Sequence, residues 1–316
     1  MRMSNSKFCN LMLSKDKEEQ LINLFIVVDD FCIALESWKL TQARYRRPLT
    51  RKPMMSDSEM MTLLLFYQCS GYKCFQYYYE EVVAHTLQEY FPRQVTYERF
   101  VALIPRLLPG LYVFLKWQTL LSRRNGTYFI DSKKLPVCHN RRIHHHKVFA
   151  EHAKRGKSST GWFYGFKVHL VINNYGEMVN FLFTQGNVAD NNHQVLKSLI
   201  GELKGQCFGD KGYITTLFEM FYKQGLQLVT KVRRNMKNQP RGGPLIPLKD
   251  YLKLRKRAVI ESVNDILTSV FDLEHTRHRS PVNALAHMLS ALIAYCFYPN
   301  KPAVFVENKN QHLLVA

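Results

Sequence analysis

Tyr128-Phe129-Ile130-Asp131-Ser132 and Cys207-Phe208-Gly209-Asp210-Lys211-Gly212-Tyr213 decide the reading of this chain. Each is a short apolar run that ends on an aspartate. Such a run reads as a buried strand, and a strand that delivers a carboxylate at its end places that group on a rigid frame. A third carboxylate, Glu261, falls in a helical pattern further on. Three convergent carboxylates are the hard oxygen set that magnesium-dependent phosphoryl transfer needs. Either aspartate alone reads as a turn residue, because Asp-Ser and Gly-Asp-Lys-Gly are good turn sequences. The matched context of the two is what points to chemistry.

Outward from the first aspartate, residues 127–131 read as a buried strand and 165–172 alternate as a second strand. Asn173-Asn174-Tyr175-Gly176 is a turn signal, and 178–184 make a third strand antiparallel to the second. A helix follows near 192–203, then a strand that ends at Asp210, a helix over 215–224 and a fifth strand over 226–232. Three strands followed by alternating helix and strand is the order of the ribonuclease H-like fold. The expected class is α/β, a mixed five-stranded sheet flanked by helices.

Residues 1–122 read as an all-helical region, which suits equally a subdomain for possible DNA-end binding and a scaffold that packs on the catalytic core. Residues 123–300 read as the catalytic domain and 301–316 as a C-terminal tail. Helical spacing covers 21–40, and Ser56-Asp57-Ser58-Glu59 has capping-box spacing before an apolar run. A helix over 75–86 follows Gly71, and Thr96 caps another whose end Pro105 and Pro109 should disturb. One helix is expected over 251–271, and Ser280-Pro281 starts a last one whose apolar stripe packs on the core.

At 316 residues with 46% hydrophobic side chains, the chain can bury a large core, and its net charge of +19 favours a polyanionic partner. Seven cysteines with no Cys-x-x-Cys pair read as reduced thiols of a cytoplasmic protein, nucleoid-associated when bound to DNA. Neither a signal peptide nor a membrane span is expected.

Two loops are strongly basic. The segment between the first two strands carries Arg141, Arg142, Lys147, Lys154, Arg155 and Lys157, and a Gly- and Pro-rich loop after the fifth carries Arg233 and Arg234. With Lys211 and Arg257, these are the candidate DNA contacts. Cys138, His139 and His144-His145-His146 lack the spacing of a structural zinc site. Lys154-Arg155-Gly156-Lys157 lacks that of a Walker motif. On a helical wheel Glu261 shares a polar face with Arg257, Asn264, Asp265 and Thr268, opposite Val259, Val263, Ile266 and Val270. That face is either solvated, with Arg257 pairing Glu261 and Asp265, or turned to a DNA cleft.

Several motifs resemble, in order, the core of bacterial insertion-sequence transposases of the DDE class: Phe129-Ile130-Asp131-Ser132-Lys133-Lys134-Leu135, Cys138-His139-Asn140, Ala153-Lys154-Arg155-Gly156-Lys157, Gly161-Trp162-Phe163-Tyr164-Gly165-Phe166-Lys167 and Phe208-Gly209-Asp210-Lys211-Gly212-Tyr213. The resemblance implies that Asp131, Asp210 and Glu261 bind two Mg²⁺ ions, with Mn²⁺ a possible substitute, to cut transposon ends and join them to target DNA. Many relatives carry Tyr-x-x-Arg-x-x-x-Glu-x-x-x-x-x-x-Lys around the glutamate. Here Arg257 and Glu261 keep the Arg–Glu spacing, while Leu254 and Thr268 hold the tyrosine and lysine positions. The expected partners are terminal inverted repeats and target DNA. A homodimer is expected in the synaptic complex, since two-fold symmetry matches two inverted ends. The alternatives are a ribonuclease H-like nuclease without strand transfer and a catalytically dead DNA-binding remnant.

Overall fold

The computed structural model describes residues 13–42, 53–158, 161–231, 247–275 and 278–304. By packing, the chain divides into two compact units. One is helical and draws on the chain up to Leu115, with Val270–Asp272 and Val282–Tyr295. The other holds Lys116–Ser269, Leu273–Pro281 and the chain from Cys296 onward.

The helical unit contains α1 (Lys15–Thr41), α2 (Asp57–Ser70), α3 (Phe75–Tyr77) and most of α4 (Tyr97–Leu120). The capping box forms as its spacing predicts: Glu59 N–H donates to Ser56 Oγ at 3.0 Å, and Ser56 N–H donates to Glu59 Oε2 at 2.6 Å. Residues 75–86 are helical, but from Tyr78 to Thr86 the helix is of the wide π type. Helix α4 does not stop at Pro105 or Pro109. The two prolines are four residues apart on its exposed side, so water can satisfy the carbonyls they orphan. Phe100, Ile104, Leu107, Leu111 and Phe114 form its buried stripe. By length and composition alone α4 could cross a bilayer, but one buried stripe is the pattern of a core helix.

The second unit is built on a mixed sheet. Its strands are β1 (Thr127–Cys138), β2 (Lys154–Ser158), β3 (Gly161–Asn173), β4 (Met178–Gln185), β5 (Gly205–Gly209) and β6 (Leu226–Thr230). The five expected strands lie in the order β4-β3-β1-β5-β6, the first three antiparallel and β5 and β6 parallel to β1 and to each other. This is the ribonuclease H-like arrangement. The short strand β2, in a segment expected to be a basic loop, pairs antiparallel with the first five residues of β3.

Period-two alternation sends the two sides of β1 to different helices. Tyr128 and Ile130 pack with Val195, Leu196, Leu199 and Ile200 of α5 (His193–Ile200) and with Phe221 of α6 (Phe218–Lys223). Phe129 points the other way and meets Phe208, with ring centroids 5.8 Å apart. The helix expected over 251–271 is two helices, α7 (Leu248–Arg255) and α8 (Ala258–Ser269), and α8 packs on β1. The break falls at Lys256 and Arg257 and sets Arg257 at the mouth of α8. Helix α9 (Pro281–Cys296) begins at the proline, as its cap signal predicts. The loop with Arg233 and Arg234 lies outside the described residues.

Candidate active site

The two aspartates come from adjacent parallel strands. β1 and β5 pair over Thr127–Phe129 and Gln206–Phe208 only, and Asp131 and Asp210 follow just where the pairing ends. Asp210 leads into a 3₁₀ turn, Lys211–Tyr213, and its Oδ1 accepts the Gly212 N–H at 2.8 Å. The turn reading of Gly-Asp-Lys-Gly is therefore correct, and it is the turn that orients the carboxylate.

Asp131 lies on the α8 side of β1 and is mostly buried. Asn264 Nδ2 donates to its Oδ2 at 3.0 Å, and an Arg257 guanidinium nitrogen stands 3.8 Å from its Oδ1. The same guanidinium donates to Glu261 Oε1 at 2.6 Å. Burial pushes the Asp131 carboxyl up to about 6; Arg257 and the Ser132 backbone N–H pull it down, while Asp210 and Glu261 push it further up. All three expected carboxylates thus act in one electrostatic field. They are not equally placed, since Glu261 is exposed on the first turn of α8 and turned to Arg257.

The donor set is all carboxylate oxygen, which suits a hard divalent cation. Among the described residues no three His, Cys, Asp or Glu side chains already converge to hold an ion. Arg257 instead bridges Asp131 and Glu261, a cation between two carboxylates. The residues fit a metal ion by donor chemistry.

Further polar groups, not expected from the sequence, surround the aspartates. Lys167 of β3 is buried, and its Nζ donates to Val188 O at 3.0 Å and to Asp190 Oδ1 at 2.9 Å. His169, two residues on and on the same face, is fully buried; it shares a 2.9 Å hydrogen bond with Thr184 Oγ1 and lies 4.0 Å from Asp190. Burial pushes its imidazole down to about 4, with Asp190 acting in the opposite direction, so it is neutral at pH 7. A methyl group on Gly212 would lie 2.9 Å from Asp210 Oδ1 and 3.6 Å from Asp190 Oδ2, so Asp190 faces the turn after Asp210. Asn191 fixes this neighbourhood by donating to Ile214 O at 2.9 Å. Tyr213 is buried with Tyr128 and Ile130; burial first, then the charges of Asp131, Asp190 and Asp210, push its phenol well above its ordinary value. The available signal was Phe166-Lys167-Val168-His169, which puts two polar residues on one face of an otherwise apolar strand. Asn264 was expected on a polar face and is buried against Asp131, because α8 turns its Val259, Ile260, Val263 and Leu267 stripe to the sheet.

The basic candidates separate into two groups. Arg141 and Arg142 sit on a 3₁₀ helix, Asn140–His145, followed by Lys147, while Lys154, Arg155 and Lys157 lie on β2. All six are exposed, and among the described residues none of them belongs to an ion pair. Lys211 is exposed in the turn after Asp210. Arg257 is different, being turned inward to Asp131 and Glu261.

No curated protein matches the chain. Among solved structures, a piggyBac transposase, in a cryo-EM synaptic complex with hairpin DNA, is similar at 12% identity and a TM-score of 0.48, covering 88% of this chain and 73% of that one. Residues 121–281, just over half of the chain, match the family described as "Transposase DDE domain" and contain all three expected carboxylates. The chain belongs to the DDE transposase domain family.

Proposed function

We propose that this transposase cuts the ends of a DNA element at terminal inverted repeats and joins them to target DNA, with Asp131, Asp210 and Glu261 holding divalent magnesium. The observation that supports the reading is that Asp131 and Asp210 follow the end of the parallel pairing of β1 with β5, and that Arg257 links Asp131 to Glu261 of α8. Two bound divalent ions would lower the pKa of an attacking water and stabilise the departing 3′-oxygen of a phosphodiester.

The chain's own residues prepare that site. Asn264 fixes the direction of Asp131 Oδ2, and the Gly212 N–H fixes Asp210 Oδ1. Lys167 neutralises Asp190, so this fourth carboxylate does not add an uncompensated charge beside Asp210. Arg257 pairs with Glu261 beside Asp131, and if a divalent ion took Glu261 the guanidinium would be released to meet a DNA phosphate. The unpaired cations from Arg141 to Lys157 supply sequence-independent phosphate contacts. Two inverted ends call for a symmetric pair of subunits when both are bound.

The test is cleavage of labelled DNA that carries the element's end, with and without Mg²⁺, followed by joining of a pre-cut end to a plasmid. Mg²⁺-dependent cutting and joining are expected. Cutting without joining would make the protein a nuclease, and binding without either would make it a remnant.

A further inference from the structure

The hairpin formed by β2 and the start of β3 has two unlike faces. On the inner face Gly156 and Phe163 press on the turn after β4, and a Cβ on Gly156 would lie 2.0 Å from Gly186 O. That face is closed, so only glycine fits there. On the outer face Trp162 lies directly opposite Lys157, with Arg155 diagonal to it. The Arg155 guanidinium sits 4.7 Å and the Lys157 ammonium 5.7 Å from the indole centroid. Trp162 is nevertheless 51% exposed, and its carbonyl is held at 2.7 Å by Asn140 Nδ2 from the basic 3₁₀ segment.

Trp162 is held on this hairpin between two cations that lack carboxylate partners among the described residues. We propose that Trp162, with Arg155 and Lys157, is a stacking platform for an unpaired DNA base, the two cations taking the flanking phosphates. The inference rests on the DNA-binding reading above and deepens it, from phosphate contact to recognition of unstacked DNA. Base–aromatic stacking is indifferent to sequence, because every base has a π face, and a neighbouring cation strengthens it. Charge complementarity selects the occupant: an unpaired base arrives with phosphates, whereas an apolar protein surface would leave both cations unmet.

The platform is also in register with the chemistry. Leu170, the cross-strand partner of Asp131, is eight residues along β3 from Trp162. At ~3.3 Å per residue the separation is at most about 26 Å. That is roughly eight steps of a DNA strand at about 3.4 Å each. A base extruded within that distance of the cut could occupy the platform while the scissile phosphate meets Asp131.

The experiment uses the full chain and two labelled duplexes that differ only in one unpaired 2-aminopurine. Wild type should bind the bulged duplex about tenfold more tightly and quench the 2-aminopurine. Trp162→Ala should abolish the preference and the quenching while changing affinity for the paired duplex less than about twofold, and Trp162→Phe should retain most of both. Equal affinity of wild type for the two duplexes, or quenching that survives Trp162→Ala, overturns the platform while leaving DNA binding intact. Equal losses on both duplexes would make Trp162 only a brace for the hairpin and also overturn it. Failure of wild type to bind either duplex would overturn the DNA-binding reading itself.

Discussion

Asn264 donates its side-chain amide to Asp131 Oδ2 at 3.0 Å, from a helix 133 residues away in the chain. The bond joins α8 to the end of the pairing between β1 and β5, and it fixes the direction of a carboxylate that burial has stripped of water. Loss of a partner that orients a metal ligand costs about 10–100-fold in metal affinity or activity. Asn264→Ala should lower Mg²⁺-dependent cleavage by that order while DNA affinity is nearly unchanged. A cleavage rate within about twofold of wild type would remove Asn264 from the site.

The Asp131 charge is uncomfortable when no metal is bound. Its carboxyl rises from 3.8 to about 6 on folding, so the folded protein binds this proton more tightly than the unfolded chain. Its destabilising contribution is absent below pH 4, grows as the pH rises towards 6, and is complete above that. Asp131→Asn should therefore stabilise the metal-free protein at pH 7.5, by up to roughly 3 kcal/mol at 1.36 kcal/mol per pH unit, and by little at pH 4. His169 has the opposite slope, since its depressed pKa adds stability as the pH rises from 4 to 6.5. The difference between wild type and variant cancels it. Denaturant melts at the two pH values decide the matter, and a variant less stable at both would contradict the assignment.

Lys167 and Asp190 form a mostly buried pair. Removing one partner leaves an uncompensated charge, whereas removing both is often close to neutral. Lys167→Met should cost about 2–3 kcal/mol, a little below the usual range because Asp190 keeps some solvent. Lys167→Met with Asp190→Asn should recover most of that loss. Thermal melts of both single variants and the double variant give the coupling directly, and simple additivity would rule it out.

Glu261 has two rivals for the third carboxylate, Asp265 and Glu274, and Glu274 lies beyond α8 in an ion pair with Lys133 at 3.0 Å. Asp265 is exposed one turn further along α8, and only Glu261 touches Arg257. Glu261→Gln should abolish Mg²⁺-dependent cleavage, and Asp265→Asn should leave most of it. Stability should change by less than about 0.5 kcal/mol in either case, as expected for exposed helix charges. The reverse pattern of activities would move the site along the helix.

Duplex binding should weaken steeply with salt. Six exposed cations between Arg141 and Lys157 lack ion-pair partners among the described residues, so each is free to displace counterions. A log–log slope of magnitude above about 4 is expected from a salt titration, and a flat response would exclude phosphate contacts as the main source of affinity.

What the sequence disclosed was what local patterning controls. The apolar runs ending on Asp131 and Asp210 are buried from both sides, so they read clearly, and strand order followed from them. Asp190 stayed hidden because Val188-Ala189-Asp190-Asn191-Asn192 is ordinary turn chemistry, and only the fold brings Lys167 to it. The continuity of α4 through two prolines was missed because propensity is a local rule and its buried stripe is a tertiary one. The split between α7 and α8 has no strong breaker residue, yet it decides where Arg257 points.

The short pairing of β1 with β5 has a kinetic consequence. Thr127–Phe129 meets Gln206–Phe208 only after the whole excursion through β2, β3, β4 and α5 has been closed. Loops of that length close late, since their entropy must be lost before the contact returns anything. Hairpin neighbours such as β3 and β4 can form while the chain is still emerging, but the two aspartates cannot meet until nearly the entire sheet is assembled. An incompletely synthesised copy would then carry the basic segment from Arg141 to Lys157 without the pair of aspartates that Asp210 completes.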